Sequence, residues 1–195
     1  MKVLFIESKK KAAGKINING FPEKIHLLYT IQYKKLAEKL KEKLGKRVLA
    51  FEQVLGCSRI KPKASLLLVG SGRFHALQLA FSTGKPVFIY DNRLTRITKK
   101  EIERFKAMQK GKILKFLSSD NIGLLVSSKP GQNKLKQALK EKKIIEKKYP
   151  KKRFYIFISD TININELENF PYFFLNFACS GIEFDSPKIL NFRKI

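Results

Sequence analysis

Short apolar segments that alternate with helical segments are the feature that most restricts how this chain can fold. Apolar runs of roughly 4–8 residues between turn residues are typical of buried strands, whereas apolar residues three and four apart predict helices. Strands are predicted at 3–7, 24–30, 47–51, 65–70, 86–91, 121–128, 153–159, 171–178 and 188–193. Helices are predicted at 32–44, 74–82, 99–117, 132–148 and 165–170. This alternation predicts an α/β fold with mainly parallel sheets.

The strand–helix pattern restarts at the basic helix 99–117, for which Thr98 is a suitable N-cap. We therefore predict two similar three-layer units, 1–98 and 99–195, with helices on both faces of each sheet. Open α/β sheets bind ligands at the carboxyl ends of their strands, so the loops at those ends are the expected place for function.

Composition and charge limit the kind of protein. A hydrophobic content of 44% with 16 Phe indicates a folded globular chain. No apolar run approaches the roughly 20 residues of a membrane-spanning helix, and the N-terminus lacks the pattern of a secretory signal. We therefore expect a cytoplasmic protein with no membrane partner. The net charge of +25 raises encounter rates with nucleic acid, but no aromatic-interleaved RNA-binding motif accompanies the lysines. Specific nucleic-acid binding is therefore not our first prediction.

Few residues could carry out chemistry. The chain has two His and two Cys, and it lacks closely spaced Cys/His pairs, a Walker loop, a Gly-x-Gly-x-x-Gly fingerprint and a Gly-x-Ser-x-Gly elbow. His26 lies inside an apolar strand and is interpreted as structural. His75 lies at the start of a helix after a buried strand, where it is suited either to contact a ligand or to pack.

The two cysteines each follow a predicted strand. A single cytosolic cysteine is usually a small buried hydrophobe, but Cys57 and Cys179 both lie at the loop ends of strands, one in each unit. Soft thiolates at such positions suit an iron–sulfur cluster. The turn Ser127-Ser-Lys-Pro-Gly-Gln132 combines hydroxyls, a Lys and an amide at a helix start. It suits a carboxylate or phosphate, and it is equally acceptable as an ordinary turn.

Four stretches, in order, resemble the diphthamide synthase, or 2-(3-amino-3-carboxypropyl)histidine synthase, family of archaea and eukaryotes. They are Gln53-Val-Leu-Gly-Cys57, Leu68-Val-Gly-Ser-Gly-Arg-Phe-His75, Leu125-Val-Ser-Ser-Lys-Pro-Gly-Gln132 and the stretch 166–179, ELENFPYFFLNFAC. The resemblance extends from about residue 25 onward. Family members have three similar α/β domains, each of which contributes one cysteine to a 4Fe-4S cluster that binds S-adenosylmethionine.

The resemblance implies that this chain comprises the family's second and third domains, with Cys57 and Cys179 as cluster ligands. It also implies binding of S-adenosylmethionine near a set of polar residues, for which we select Ser128, Lys129, Gly131, Gln132 and His75. The implied reaction is radical transfer of a 3-amino-3-carboxypropyl group to a histidine of translation elongation factor 2. It requires an external electron donor.

Two departures from the family pattern change this expectation. The first domain and its cysteine are absent, which implies a partner chain that supplies the third ligand. The family's Pro-Arg-Ile after the last cysteine is replaced by Ser180-Gly-Ile182, so another basic residue, such as Lys129 or Arg73, must provide the lost positive charge. If none does, the chain is a non-catalytic scaffold that docks the elongation factor or a catalytic homologue. A basic RNA-binding α/β module is the third interpretation.

Overall fold

The computed structural model describes residues 16–55, 58 and 60–192. The chain separates into two compact units, Met1–Arg104 and Phe105–Ile195. The predicted α/β class with two mainly parallel sheets is confirmed. The strand predicted at 3–7 lies outside the described residues, and the boundary at residue 98 stays a sequence-based prediction.

The first unit is built around a five-stranded sheet. Its elements are β1 (Ile25–Tyr29), α1 (Lys34–Leu44), β2 (Val48–Gln53), β3 (Ser65–Val69), α2 (Arg73–Thr83), β4 (Val87–Asp91) and β5 (Arg93–Arg96). The strand order is β2-β1-β3-β4-β5, with β1 to β4 parallel and β5 antiparallel to β4. The carboxyl ends of four strands therefore meet at one edge of this sheet.

Alternation along the strands distributes the core of the first unit between two faces. Leu27 and Leu67 pack on the face that α1 covers, through its buried stripe of Leu36, Leu40 and Leu44. The neighbouring strand residues, such as Leu28, point to the opposite face and pack with α2. Both faces of the sheet are thus covered by helices, as predicted. His26 is buried in β1, with its Nε2 atom 2.6 Å from Glu52 Oε1, which agrees with a structural role.

The edge strand β5 was not predicted. Its sequence Arg-Leu-Thr-Arg is short and polar, and it reverses directly after β4 at Asn92, which has a φ of 63°. Asn is among the few residues other than Gly that adopt this left-handed conformation at low cost. A short charged strand at a sheet edge also hinders pairing with other chains.

A capping box begins α3 (Lys99–Ser118) and is tied to α2. Glu101 N donates to Thr98 Oγ1 at 3.2 Å, while Thr98 N donates to Glu101 Oε2 at 2.8 Å, which confirms Thr98 as the cap. Arg73 contacts the same carboxylate with Nε at 2.7 Å and Nη2 at 2.9 Å. This bidentate pairing, aided by the hydrogen bonds from Thr98, lowers the pKa of Glu101 from 4.5 to about 2.

We expect Glu101→Gln to lower the free energy of unfolding at pH 7 by about 1 kcal/mol, since the pair with Arg73 is partly exposed and the cap is weakened. A carboxyl with a lowered folded pKa contributes stability above its unfolded pKa, near 4.5, and loses it as the pH falls toward about 2. Urea unfolding should therefore show the difference between wild type and variant shrinking across that window. Glu103→Gln, at an exposed position of the same helix, is the control; a pH-independent difference for Glu101→Gln would contradict this account.

The second unit contains a four-stranded, entirely parallel sheet. After α3 come β6 (Asn121–Ser127), α4 (Leu135–Lys148), β7 (Arg153–Ser159), α5 (Ile164–Glu168), β8 (Phe173–Asn176), a 3-10 helix (Ser180–Phe184) and β9 (Ile189–Asn191). The strand order is β7-β6-β8-β9. All four strands therefore end at the same edge.

Helices also cover both faces of the second sheet. On one face, Ile122, Leu124 and Leu175 pack with Phe116 of α3 and Ala138 of α4. On the other face, Leu125, Phe174 and Ile189 pack with residues of α5 and of the 3-10 helix. None of the helices in the described ranges combines the length and the apolar character needed to cross a membrane.

Candidate functional site

The carboxyl edge of the second sheet gathers most of the polar residues that the sequence analysis selected. The loop 128–134 follows β6, and Cys179 follows β8, which is the neighbouring strand. The two strands remain paired up to this edge, where Phe177 N donates to Leu125 O at 2.9 Å. Lys129 and Cys179, which are 50 positions apart in sequence, thus both follow the carboxyl ends of adjacent parallel strands.

Cys179 combines a fixed backbone with an exposed side chain. Its backbone is extended, with φ −68° and ψ 128°, and it is the N-cap of the 3-10 helix. Its carbonyl oxygen accepts from Asn176 Nδ2 at 2.8 Å and from Ile182 N at 3.2 Å. The side chain is a free, exposed cysteine. A reachable thiol on a well-held backbone is what a metal ligand at a loop end requires.

Beneath Cys179 lies a hydrogen-bonded group of buried polar side chains that the sequence analysis did not select. Asn176 and Asn191 are opposite each other at the last paired position of β8 and β9, and Asn176 Nδ2 donates to Asn191 Oδ1 at 2.7 Å. Glu183, whose exposed fraction is 0%, accepts from Asn191 N at 3.0 Å and from Asn191 Nδ2 at 2.8 Å. The available signal was a single Asn at the end of each of two apolar strands.

The loop after β6 has a defined turn. Lys129 N donates to Ser127 Oγ at 3.2 Å, and the Lys129 carbonyl accepts from Gln132 N at 3.0 Å and from Asn133 N at 3.1 Å. Gly131 has a φ of 76°, a conformation that most other residues avoid. Ser128 Oγ lies 3.4 Å from Asp160 Oδ1, in the loop after β7. Ser128, Lys129 and Gly131 are exposed and Gln132 is half-buried, so this loop presents polar groups at the edge.

His75 lies in the first unit, in the first turn of α2. It is half-buried, its ring contacts Phe74 edge-on at a centroid distance of 4.8 Å, and burial lowers its pKa below the usual 6.5. The imidazole is therefore neutral at pH 7, as a hydrogen-bonding ligand contact or a packing residue would be. The neighbouring Arg73 directs its guanidinium to Glu101 and to the Arg96 carbonyl.

Cys57 lies outside the described residues. The described residues nearest to it on each side are Leu55 and Ser58, and Leu55 N donates to Ser58 Oγ at 2.8 Å while Ser58 N donates to Leu55 O at 3.0 Å. Val54 is anchored to the sheet because its N donates to Tyr29 O at 2.8 Å. The described chain around this motif thus stays at the carboxyl end of β2.

The residues of this chain fit a role as partial ligands of an iron–sulfur cluster. Within the ranges that the structure describes, no group of three or more His, Cys, Asp or Glu side chains could hold a metal ion. Among the described residues, Cys179 offers a soft, exposed ligand at the carboxyl edge of a parallel sheet.

Comparison with known proteins identifies the family to which the chain is similar. A model of the diphthamide synthesis protein family matches residues 2–194. The 2-(3-amino-3-carboxypropyl)histidine synthase of Pyrococcus horikoshii is 29% identical over 183 residues, covering 90% of this chain and 53% of that protein. The protein of the same name from Methanocaldococcus jannaschii is 34% identical over 134 residues, covering 66% and 34%.

Two crystal structures of Dph2 from Pyrococcus horikoshii have the same fold, and one of them contains a 4Fe-4S cluster. Their TM-scores are 0.76 and 0.77, at 26% identity, over 91% of this chain and 57% of theirs. The chain thus spans about half the length of the Pyrococcus relative, and about a third of the Methanocaldococcus relative. With almost its entire length matched, the chain belongs to the diphthamide synthesis protein family.

Proposed function

We propose that this chain is a subunit of a 4Fe-4S enzyme that transfers a 3-amino-3-carboxypropyl group from S-adenosylmethionine to a histidine of translation elongation factor 2. The observation that carries the proposal is Cys179, an exposed thiol on a hydrogen-bonded backbone at the carboxyl edge of a parallel sheet. It occurs in a family in which a structure of similar fold contains a 4Fe-4S cluster.

In this proposal Cys57 and Cys179 each contribute one thiolate to the cluster. When bound, a 4Fe-4S cluster supplies the electron that breaks the Cγ–S bond of S-adenosylmethionine. Two cysteines hold such a cluster poorly, so we assign the third cysteine to a partner chain that carries the family's first domain. An external electron donor completes the system.

The remaining polar residues would bind and orient S-adenosylmethionine. Lys129 is the better of the two candidates to replace the lost arginine, because Arg73 already forms a bidentate pair with Glu101. The exposed Lys129 ammonium would pair with the substrate carboxylate, and Ser128 and Gln132 would donate further hydrogen bonds. Gly131 would keep the turn in its left-handed conformation. His75, which is neutral at pH 7, would donate or accept one hydrogen bond without adding charge.

Anaerobic co-purification tests this proposal directly. The affinity-tagged full chain would be isolated from its own cells together with the polypeptides that bind it, and iron and sulfide would be counted per complex. We expect about four of each per complex and the broad visible absorption of a 4Fe-4S cluster. An iron content near zero, with a partner chain present, would refute the proposed enzymatic function and favour a non-catalytic scaffold.

A further inference from the structure

The backbone of three consecutive residues, Ala178, Cys179 and Ser180, is held by two buried amide side chains. Asn176 Oδ1 accepts from Ala178 N at 2.9 Å, and Asn176 Nδ2 donates to the Cys179 carbonyl at 2.8 Å. Asn191 Nδ2 donates to the Ser180 carbonyl at 3.1 Å. The backbone before, at and after the cysteine is therefore fixed by hydrogen bonds from side chains.

Glu183 fixes the orientation of this group. Both of its carboxylate oxygens accept from Asn191, one from the backbone N and one from the side-chain Nδ2. Because Asn191 Nδ2 is used as a donor, its Oδ1 faces Asn176 and accepts from Asn176 Nδ2. The orientation of the Asn191 amide thus sets that of the Asn176 amide, and neither amide can flip without breaking several hydrogen bonds. Lys112 Nζ donates to the Glu183 carbonyl, which attaches the 3-10 helix to α3.

Burying these three polar side chains costs desolvation free energy, and packing alone does not require them to be polar. Glu183 is 0%, Asn176 4% and Asn191 8% exposed, whereas the residues that precede the two Asn in β8 and β9 are buried and apolar. Well-packed apolar residues often replace buried polar groups without loss of stability. A fully satisfied polar network instead specifies one backbone arrangement.

We infer that Asn176, Asn191 and Glu183 are positioning residues that hold Cys179 at the place where its thiolate binds a cluster iron. This inference rests on the proposed function and deepens it. A soft thiolate must remain reachable to bind iron, so its position has to be set through the backbone. Outer groups that orient ligands typically change metal affinity 10- to 100-fold when they are removed.

The first test needs no cluster. Amide hydrogen exchange of the isolated full chain is compared between wild type and Asn176→Ala, which removes the acceptor for Ala178 N. We expect the Ala178 amide to exchange about tenfold faster, with the Ala138 amide in α4 unchanged. Unchanged exchange at Ala178 would overturn the inference whether or not the chain binds iron.

The second test follows loss of the cluster from the anaerobically purified complex to a chelator. We expect about 10- to 100-fold faster loss in Asn176→Ala and Asn191→Ala. Asn176→Asp separates positioning from folding, because it keeps an oxygen for Ala178 N and removes the donor to the Cys179 carbonyl. It should protect Ala178 yet lose the cluster faster. The control is Ile122→Val, a buried change at the opposite end of β6.

The outcomes separate this inference from the proposed function. If the wild-type complex contains iron, and Asn176→Asp or Asn191→Ala releases the cluster at the wild-type rate, only the positioning role is overturned. Wild-type complex without iron would overturn the proposed function and the positioning role with it. Faster loss that Ile122→Val shows equally would identify general destabilisation and would also overturn the inference.

Discussion

Gly123→Ala is expected to destabilise the second unit by about 3 kcal/mol, the upper end of the usual cost of overpacking a core, because the added methyl group has no space. A Cβ at Gly123 would lie 2.5 and 2.6 Å from two ring carbons of Phe174 and 3.0 Å from Phe157. Carbon atoms in contact are normally about 3.5–4.0 Å apart. Phe174 is fully buried and meets the Phe157 ring edge-on, with centroids 5.5 Å apart, so the Phe174 ring cannot move aside without a rearrangement of the core.

The same substitution elsewhere should have the opposite sign. Gly111 is exposed within α3, and a Cβ there would meet nothing within 4 Å. Gly111→Ala should therefore stabilise the chain by about 0.5–1 kcal/mol through better helix propensity. Both variants are measured by urea unfolding followed by circular dichroism. A Gly123→Ala variant as stable as wild type would show that the aromatic core can yield.

A double variant tests the cause. Phe174→Leu removes ring atoms from the space that the new methyl group needs, so it should offset part of the cost of Gly123→Ala. We expect the double variant to be less destabilised than the two single effects added together, which is the sign of direct contact. Additive effects would instead place the strain at the backbone of β6.

How well the sequence predicts each strand depends on whether both faces of that strand are buried. Strands such as β1, β3 and β6 are buried on both faces, so their continuous apolar runs marked them clearly. The polar edge strand β5 has no such run. The helix predicted from residue 132 begins at Leu135, since Gly131 is left-handed and the Asn133 side chain accepts from Leu135 N at 3.1 Å. Local side-chain hydrogen bonds of this kind override periodicity.

The candidate site was predictable only in part, for a related reason. Cys179 and the loop with Lys129 directly follow apolar strands, so a linear pattern placed both at the carboxyl edge. The contact between Asn176 and Asn191 depends on the register of two strands and on the 3-10 helix that brings Glu183 beneath them. Such three-dimensional pairing leaves only a weak trace in the sequence, an Asn at the end of each strand.

Cys57→Ala and Cys179→Ala should each remove the cluster from the purified complex. Removing a cluster ligand should weaken iron binding more than removing a residue that only orients a ligand. We therefore expect bound iron to fall by more than about tenfold, together with the visible absorption. The Cys179 side chain is exposed, so Cys179→Ala should change the free energy of unfolding by no more than about 0.5 kcal/mol. Iron and sulfide counts, absorption spectra and urea unfolding are measured on each variant.

Ser180→Ala is the matched control for Cys179→Ala, because it changes the adjacent side chain and leaves the backbone carbonyl that Asn191 contacts. It should keep iron and absorption at the wild-type level. If either cysteine variant retains the absorption, that residue is not a ligand. If the complex forms equally well without iron in every variant, the chain acts as a scaffold. Steeply salt-dependent RNA binding without a cluster would instead favour the basic RNA-binding module, because the net charge of +25 would then explain the affinity.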